Sequence, residues 1–356
     1  MSSSIFRLSP LSWRLCATSL AVVTAMAAAL FSASQARSSD DVVNVYSFRQ
    51  EVLIRPLLDA FTAETGIKVR LVSAKDDALL ERLKSEGEFS PADVLLTADA
   101  GRLWRAKEAG VLQPVTSTVL ESRVPAQYRD PEGYWYGLSV RARTIMVAAD
   151  RVKPSDITSY ADLADERWHG RICIRSSGNI YNQSMLGAFI AHHGSEWTET
   201  WAAGLVANFA RKPAGGDRDQ LRAVAAGECD VAVSNTYYLG RMASSSKEAD
   251  RAVAEAITVI WPDQSGYGVH VNVSGGAVTR SASHKDAAVR LLEFLAGPQA
   301  QALYAASVYE YPVLAGTSRS PVVEAWGTFI ADDLNLAALG ENNAAAIRIA
   351  DRVGWR

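Results

Sequence analysis

Residues 42–72, VVNVYSFRQEVLIRPLLDAFTAETGIKVRLV, contain two valine-rich segments separated by an amphipathic one. The segments 42–46 and 68–72 are predicted to be strands, because β-branched residues dominate them. Between them, residues 54–65 have helical spacing, and Gly66 is placed to end the helix. A strand–helix–strand order predicts parallel strands with the helix packed on one face of their sheet.

The same alternation continues along the chain and then starts a second time. A helix is predicted at 78–86 and a strand at 92–96, and a second series begins with strands at 171–175 and 229–234 and helices between them. Two extended segments, around Arg143 and at 270–274, are placed to connect the two series. The sequence therefore predicts two α/β lobes with parallel-rich sheets and a shared cleft, which can close by hinge motion. The expected lobes are 37–141 plus 272–310, and 142–271 plus 311–356.

The first 36 residues have the features of a cleavable signal peptide. Arg7 and Arg14 precede an apolar stretch that runs to Phe31, and small residues follow at 34–36. A membrane anchor is the alternative, although the apolar stretch is short for a span. Removal of the two arginines would change the net charge from -3 to -5.

We expect an exported, monomeric protein. Nucleic acid is not an expected partner, because the pI of about 6.0 leaves no basic stripe.

Export changes the meaning of two cysteines. Cys173 and Cys229 both lie in or beside apolar segments that are predicted to be strands. In an oxidising compartment such a pair is often bridged, but two buried free thiols fit the sequence equally well. The residues alone leave both alternatives open.

Three predicted turns carry the polar groups of a candidate site. Each follows a strand: 47–51 contains Arg49, 176–181 ends in Tyr181, and 234–238 ends in Tyr237 and Tyr238. In open α/β sheets, ligands bind beyond the carboxyl ends of the strands. We therefore expect the three tyrosines to converge on one site in the cleft.

Converging phenols without an acid–base apparatus suggest a hard, highly charged cation. A free phenol is neutral near pH 7, but a trivalent ion favours its deprotonated form, and three phenolates would cancel the charge of ferric iron. Calcium, magnesium and zinc prefer carboxylates, histidines or cysteines, which do not cluster here. A small anion such as carbonate could complete the shell, held by Arg49 and by Arg141 or Arg143, whose planar guanidinium groups suit planar oxyanions.

Seven stretches of the chain closely resemble the periplasmic ferric-ion-binding proteins of bacterial ABC importers. They are distributed over the whole chain after the signal peptide. The stretches are 46–50 (YSFRQ), 90–97 (SPADVLLT), 141–143 (RAR), 181–182 (YN), 235–240 (NTYYLG), 270–275 (HVNVSG) and 309–313 (YEYPV).

The resemblance implies the class II periplasmic-binding-protein fold, with ferric iron bound by Tyr181, Tyr237 and Tyr238. It also implies a synergistic carbonate held by arginines matching Arg49 and Arg141, delivery to an ABC permease, and a disulfide between Cys173 and Cys229.

The first loop departs from part of this family. Some branches place a histidine and a tyrosine where this chain has Gln50 and Glu51. This departure favours the anion-assisted version, although Glu51 could still act as a carboxylate ligand. An exposed glutamate at a helix start usually only complements the helix dipole.

Other functions and structural roles compete with this interpretation. A receptor for an organic cation such as a polyamine or thiamine would need an aromatic box with carboxylates. A secreted hydrolase would need a nucleophile, yet no Gly-x-Ser-x-Gly motif occurs, and we do not expect an enzyme.

Arg49 and Arg141 could instead form ordinary salt bridges. Tyr46 is expected in the core, and His270 is expected to be structural.

Overall fold

The computed structural model describes residues 42–74 and 78–356. The predicted signal peptide, residues 1–36, therefore lies outside the described residues. Within the described ranges, no helix combines the length and the apolar character needed to cross a membrane.

Eight strands form one continuous, curled sheet in the described part of the chain. Their order is β2-β1-β3-β8-β4-β6-β5, and β7 pairs with β4. The strands are β1 (Val42–Ser47), β2 (Lys68–Ser73), β3 (Val94–Ala98), β4 (Tyr136–Ala148), β5 (Ile172–Cys173), β6 (Val231–Asn235), β7 (Ile257–Ile260) and β8 (Val271–Val278).

Strand β4 connects the two halves of the molecule. Its first part pairs antiparallel with β8, and its second part, from Arg143 onward, pairs antiparallel with β6 and β7. The parallel pairs are β1 with β2 and β3 in the first half, and β5 with β6 in the second. The predicted two-lobed α/β fold with crossover strands is confirmed. The strands that connect the lobes account for most of the antiparallel pairing.

The helices cover both faces of the sheet. They are Glu51–Thr65, Ala78–Glu86, Ala100–Glu108, Thr118–Arg123, Ile180–Ala207, Asp217–Ala225, Thr236–Ala243, Glu248–Glu255, Lys285–Leu295, Pro298–Leu303, Pro321–Glu324, Ala337–Glu341 and Asn343–Arg352, with a π-helical turn at Tyr304–Val308. The helix Ile180–Ala207 is interrupted at Gly194, whose φ of 82° and ψ of 168° are not helical. This break agrees with the separate helices expected from sequence.

The apolar core is divided between the two halves. One cluster of buried side chains surrounds β1, β3 and β8 and includes Tyr46, as expected. Two smaller clusters lie around β5 and β6. Tyr311 and Leu339 belong to the first cluster, whereas Ile349 and Trp355 belong to the second half. The lobe boundaries stay a prediction, but this packing favours a C-terminal boundary near residue 340 rather than 310.

The helix Ala337–Glu341 lies between the lobes. At Gly340 an added Cβ would lie 2.2 Å from Trp104 Cγ in the first half. On the other side, an added Cβ at Gly187 would lie 2.8 Å from the carbonyl oxygen of Leu339. Both glycines therefore permit backbone contacts that no larger residue allows.

Candidate functional site

Three tyrosines meet where the strands of the second half end. Strand β6 ends at Asn235 and the helix Thr236–Ala243 starts immediately, so that Tyr237 and Tyr238 lie in its first turn. In this helical turn their ring centroids are 4.2 Å apart. Tyr181 lies in the first turn of the helix Ile180–Ala207, and its hydroxyl is 3.4 Å from that of Tyr237. The change from strand to helix explains how adjacent phenols face one site.

Arg143 connects the helix start that carries Tyr181 with the one that carries Tyr237 and Tyr238. Its side chain is 2% exposed, and its Nη2 and Nε donate to Asn182 Oδ1 at 2.6 and 3.0 Å. Its Nη1 donates to Asn235 Oδ1 at 3.2 Å. Asn182 adjoins Tyr181, and Asn235 precedes the tyrosine pair by two residues. The structure thus places Arg143 in the scaffold of the tyrosines, apart from Arg49 and Arg141.

Asp217 completes this scaffold. Its buried carboxylate accepts from Arg143 Nη1 at 2.9 Å, from Arg175 Nη1 at 3.3 Å and from the backbone N–H of Asn235 at 2.9 Å. The Arg175 guanidinium also lies 5.6 Å from the centroid of the Tyr181 ring. A single carboxylate therefore orients both turns, and its network leaves a net positive charge behind the phenols.

The disulfide predicted from the family resemblance is present. Cys173 in β5 is bonded to Cys229, with their Cα atoms 5.9 Å apart. It joins the segments that lead to Tyr181 and to Tyr237. Strand β5 is shorter than the predicted 171–175, because the carbonyls of Arg175 and Ser176 accept hydrogen bonds from the Asn182 side chain instead of from a strand.

The predicted anion-binding arginines, Arg49 and Arg141, form a second buried cluster. Arg49 donates to the carboxylate of Glu310 through Nη1 at 3.1 Å and Nη2 at 3.2 Å. Arg141 Nε lies 3.6 Å from the same carboxylate. Both arginines also donate to the hydroxyl of Ser274. The salt-bridge role considered from sequence is therefore present, with one carboxylate shared between two guanidinium groups.

A cavity of about 110 Å³ lies between the tyrosines and this cluster. Both halves of the molecule line it, and the lining residues are Phe48, Arg49, Gln50, Leu53, Ala98, Tyr181, Arg218, Tyr237, Tyr238, Arg241 and Glu310. Arg141 lies behind Glu310 rather than in the lining. Glu51 is exposed, pairs with Arg55 at 2.5 Å and does not belong to the lining. Gln50 reaches the cavity from the start of the helix Glu51–Thr65.

Burial raises the pKa of two phenols of the cavity, those of Tyr237 and Tyr238. Burial and the neighbouring Tyr181 and Tyr238 raise the pKa of Tyr237 well above the ordinary value for a phenol. Burial, followed by the neighbouring Tyr181, likewise raises the pKa of Tyr238. Deprotonation at neutral pH therefore requires a strong positive charge at the hydroxyls.

The donor set determines which cation can supply that charge. Within residues 42–74 and 78–356, no group of three or more His, Cys, Asp or Glu could hold a metal ion. This disfavours the usual donor sets of zinc and calcium at the site. Phenol oxygens are good ligands only for a hard ion that displaces their protons, and three of them balance a trivalent one.

Sequence reasoning missed the carboxylates Asp217 and Glu310 and the lining arginines Arg218 and Arg241. One signal for Glu310 was available, since it is the only acid in the apolar stretch 309–313. Asp217 gave no such signal, because its partner Arg143 is 74 residues away in sequence.

The two α/β halves, the connecting strands and a ligand-sized cavity lined from both sides define a solute-binding protein. The chain belongs to the bacterial extracellular solute-binding protein family, whose profile matches residues 89–329.

Relatives of this chain include proteins named for iron uptake or ferric-ion binding. It is 48% identical over 314 residues to iron uptake protein A1 of Synechocystis sp., covering 88% of this chain and 87% of that protein. A solved structure of the Trichodesmium protein IdiA (FutA), in complex with iron and citrate, superposes with a TM-score of 0.86 and 48% identity over 88% of this chain and all of the other. Apo ferric ion-binding protein A of Pasteurella haemolytica gives 0.83 and 44%, over 88% and 98% of the two chains.

Proposed function

We propose that the protein captures ferric iron outside the cytoplasm and delivers it to an ABC permease. It is a substrate-binding protein of the iron-transport type, as its relatives' names indicate. Periplasmic location agrees with the expected signal peptide and with a relative described as a periplasmic Fe(3+)-binding protein of Serratia marcescens. The role is binding and transfer rather than catalysis.

The convergence of three phenols on one cavity carries this proposal. Tyr181, Tyr237 and Tyr238 line the same space, and two of their hydroxyl oxygens are already 3.4 Å apart. We propose that all three bind ferric iron as phenolates. Each bound phenol loses its proton, so that three ligands neutralise the trivalent ion.

An anion is proposed to complete the metal shell from the other side of the cavity. Arg49 lines the cavity opposite the tyrosines, and Arg141 supports it through Glu310 and Ser274. Carbonate, in its singly charged or doubly charged form, or another small oxyanion is the proposed occupant. Gln50 also lines the cavity, whereas Glu51 is paired with Arg55 at the surface and is not proposed as a ligand.

A binding experiment tests the function. Purified apo protein is mixed with ferric citrate, with and without bicarbonate, and the visible spectrum and bound iron are measured. We expect one iron per chain and a red-orange charge-transfer absorption from phenolate to iron. The double variant Tyr237→Phe/Tyr238→Phe should lose the absorption and most of the affinity, while Tyr134→Phe, outside the cavity, should keep both. Unchanged colour and affinity in the double variant would refute the site assignment.

A further inference from the structure

Glu310 is a buried carboxylate in direct contact with the proposed anion site. Its side chain is 2% exposed, and those of Arg49 and Arg141 are 4% and 1% exposed. Tyr309, the residue before it, has a left-handed backbone with φ of 61°. A non-glycine residue rarely adopts that conformation, and the next side chain, that of Glu310, contacts both arginines.

The carboxylate of Glu310 is fully engaged by hydrogen bonds. Its Oε2 accepts from Arg49, Ser139 and Ser274, and its Oε1 accepts from Arg49. The arginines, by contrast, keep unused donors: among the described residues, Arg49 Nε and Arg141 Nε and Nη1 have no hydrogen-bond partner. Of these two arginines only Arg49 lines the cavity, so its N–H group is the one placed to meet an incoming anion, while the charge of the cluster is already partly balanced.

Glu310 is ionised in the folded protein. Burial alone would raise the pKa of its carboxyl group, but Arg49 and Arg141 outweigh burial and hold the pKa below its usual value. Burial would lower the pKa of Arg49, and Glu310 in turn raises it. Two guanidinium groups and one carboxylate leave a single positive charge in this cluster.

This charge balance affects which anion the site prefers. Ferric iron with three phenolates is neutral, so an anion at the arginines meets one net positive charge from the cluster instead of two. Arg218 and Arg241, which are partly exposed at the cavity, and the Arg143–Arg175–Asp217 network add charge that does not depend on Glu310. Removal of Glu310 would therefore strengthen the binding of a dianion more than that of a monoanion.

We propose that Glu310 is a resident counter-anion that sets the charge of the small anion completing the iron shell, favouring a singly charged group over a dianion. The inference rests on the proposed ferric-iron function. It makes Glu310 a specificity-determining residue for the anion and not a ligand of the metal.

Oxalate and oxamate are suitable probes, because they have nearly the same shape and differ by one charge. Apo protein in carbonate-free buffer receives ferric chloride with increasing oxalate or oxamate, and the half-saturating anion concentration is taken from the charge-transfer absorption. We expect Glu310→Gln to increase the preference for oxalate over oxamate by about tenfold or more relative to wild type. Chelation of free iron by each anion is the same for all variants and cancels in this comparison.

Two further variants keep the test decisive. Arg141→Gln should shift the preference towards oxamate, and Arg141→Gln/Glu310→Gln should restore the wild-type ratio, because its remaining charge is again one positive. If Glu310→Gln fails to fold, the Arg141→Gln background supplies the same comparison. Asp93→Asn is the control. It removes a buried carboxylate that accepts a hydrogen bond from Asn44 at the start of β3, whereas the cavity lies at the other end of this strand. This variant should leave the oxalate-to-oxamate preference unchanged.

Each failure has a distinct signature. An unchanged oxalate-to-oxamate ratio in Glu310→Gln, with a normal absorption band, would overturn the proposal. Loss of the band with both anions in folded Glu310→Gln would make Glu310 a metal ligand and overturn it as well. No band in the wild-type protein with either anion would instead reject the ferric-iron function.

Discussion

His270 is a buried histidine at the start of the crossover strand β8. It is 3% exposed, and among the described residues its Nε2 has no hydrogen-bond partner. Burial, with Arg143 and His192 nearby, lowers its pKa to about 3. The imidazole is therefore neutral in the folded protein, in agreement with the structural role expected from sequence.

This depressed pKa predicts part of the acid sensitivity of the apo protein. Below a pH of about 6.5 the unfolded chain protonates His270 and the folded chain does not, so stability falls as the pH drops from about 6.5 towards 3. His270→Gln should reduce the pH dependence of the free energy of unfolding in this window by about 1.4 kcal/mol per pH unit. Urea unfolding at a series of pH values measures this slope. His169→Gln, at an exposed position, is the control, and equal slopes in His270→Gln and wild type would contradict the prediction.

Single residues differ in how far sequence could predict them. The tyrosines were predictable because local chain geometry decides their position: each follows a strand that changes into a helix. The partners of the arginines were not, because Arg49 and Glu310 are 261 residues apart and meet only through the tertiary fold. No local pattern encodes such a pair. This is why an anion site was expected and its resident carboxylate was not.

At the scale of elements, the disulfide ties together the two strands that lead to the tyrosines. Cys173 and Cys229 close a loop of 56 residues. A cross-link of this length stabilises chiefly by restricting the unfolded chain. We expect Cys173→Ala/Cys229→Ala to lower the free energy of unfolding by about 2–4 kcal/mol.

Reduction provides the control for this prediction. Dithiothreitol should destabilise the wild-type protein by a similar amount and leave the double variant unaffected, as measured by urea unfolding. Because the Arg143–Asp217 network also holds both turns, the iron-dependent absorption of the folded double variant should remain. Equal stability of the variant and the oxidised wild type would show that the bridge contributes nothing.

The elements themselves were largely predictable, and the exceptions have physical reasons. The helix Ala78–Glu86 agrees with its apolar spacing, whereas the helix predicted at 54–65 begins earlier, at Glu51, despite Pro56. Pro56 is the sixth residue of this helix, beyond the first four N–H groups that have no internal partner, so the helix continues through it with the loss of one backbone hydrogen bond. The pairing of the strands was harder to predict from sequence. Strand β8 inserts between β3 and β4 although it lies far along the chain from both. The sequence indicated that β8 connects the lobes but did not indicate which strands it pairs with.

At the scale of the whole molecule, the two halves are connected through β4, β8 and the contact between Asp99 and Ser184. Asp99 follows β3 in the first half, and its carboxylate accepts from Ser184 in the second half at 2.7 Å and from Asn272 in the crossover strand at 2.9 Å. Its φ of 125° is unusual for a residue other than glycine. Tyr181 lies one turn before Ser184 on the same helix. A movement of the halves that broke the Asp99–Ser184 hydrogen bond would act on the helix that carries this proposed ligand.

The proposed capture of iron by phenols also determines the direction in which the iron affinity of the whole protein changes with pH. Each phenol must release a proton to bind iron, and burial raises the pKa of Tyr237 and Tyr238, so that protons compete with the metal at any physiological pH. Affinity for ferric iron should therefore fall as the pH falls. With three phenolate ligands, the logarithm of the apparent affinity should change by up to about three per pH unit.

Removal of one phenol separates this mechanism from a general acid effect. Tyr238→Phe should reduce the slope by about one, because one fewer proton is exchanged for each iron bound. Competition with a chelator of known pH dependence, between pH 5.5 and 7.5, measures the slope for both proteins, and contributions from the anion and from Arg175, Asp217 and Glu310 are shared by both and cancel. An identical slope in wild type and variant would mean that Tyr238 binds iron without losing a proton or does not bind it. Either result would reject the proposed electroneutral three-phenolate centre and the selectivity for ferric iron that is argued from it.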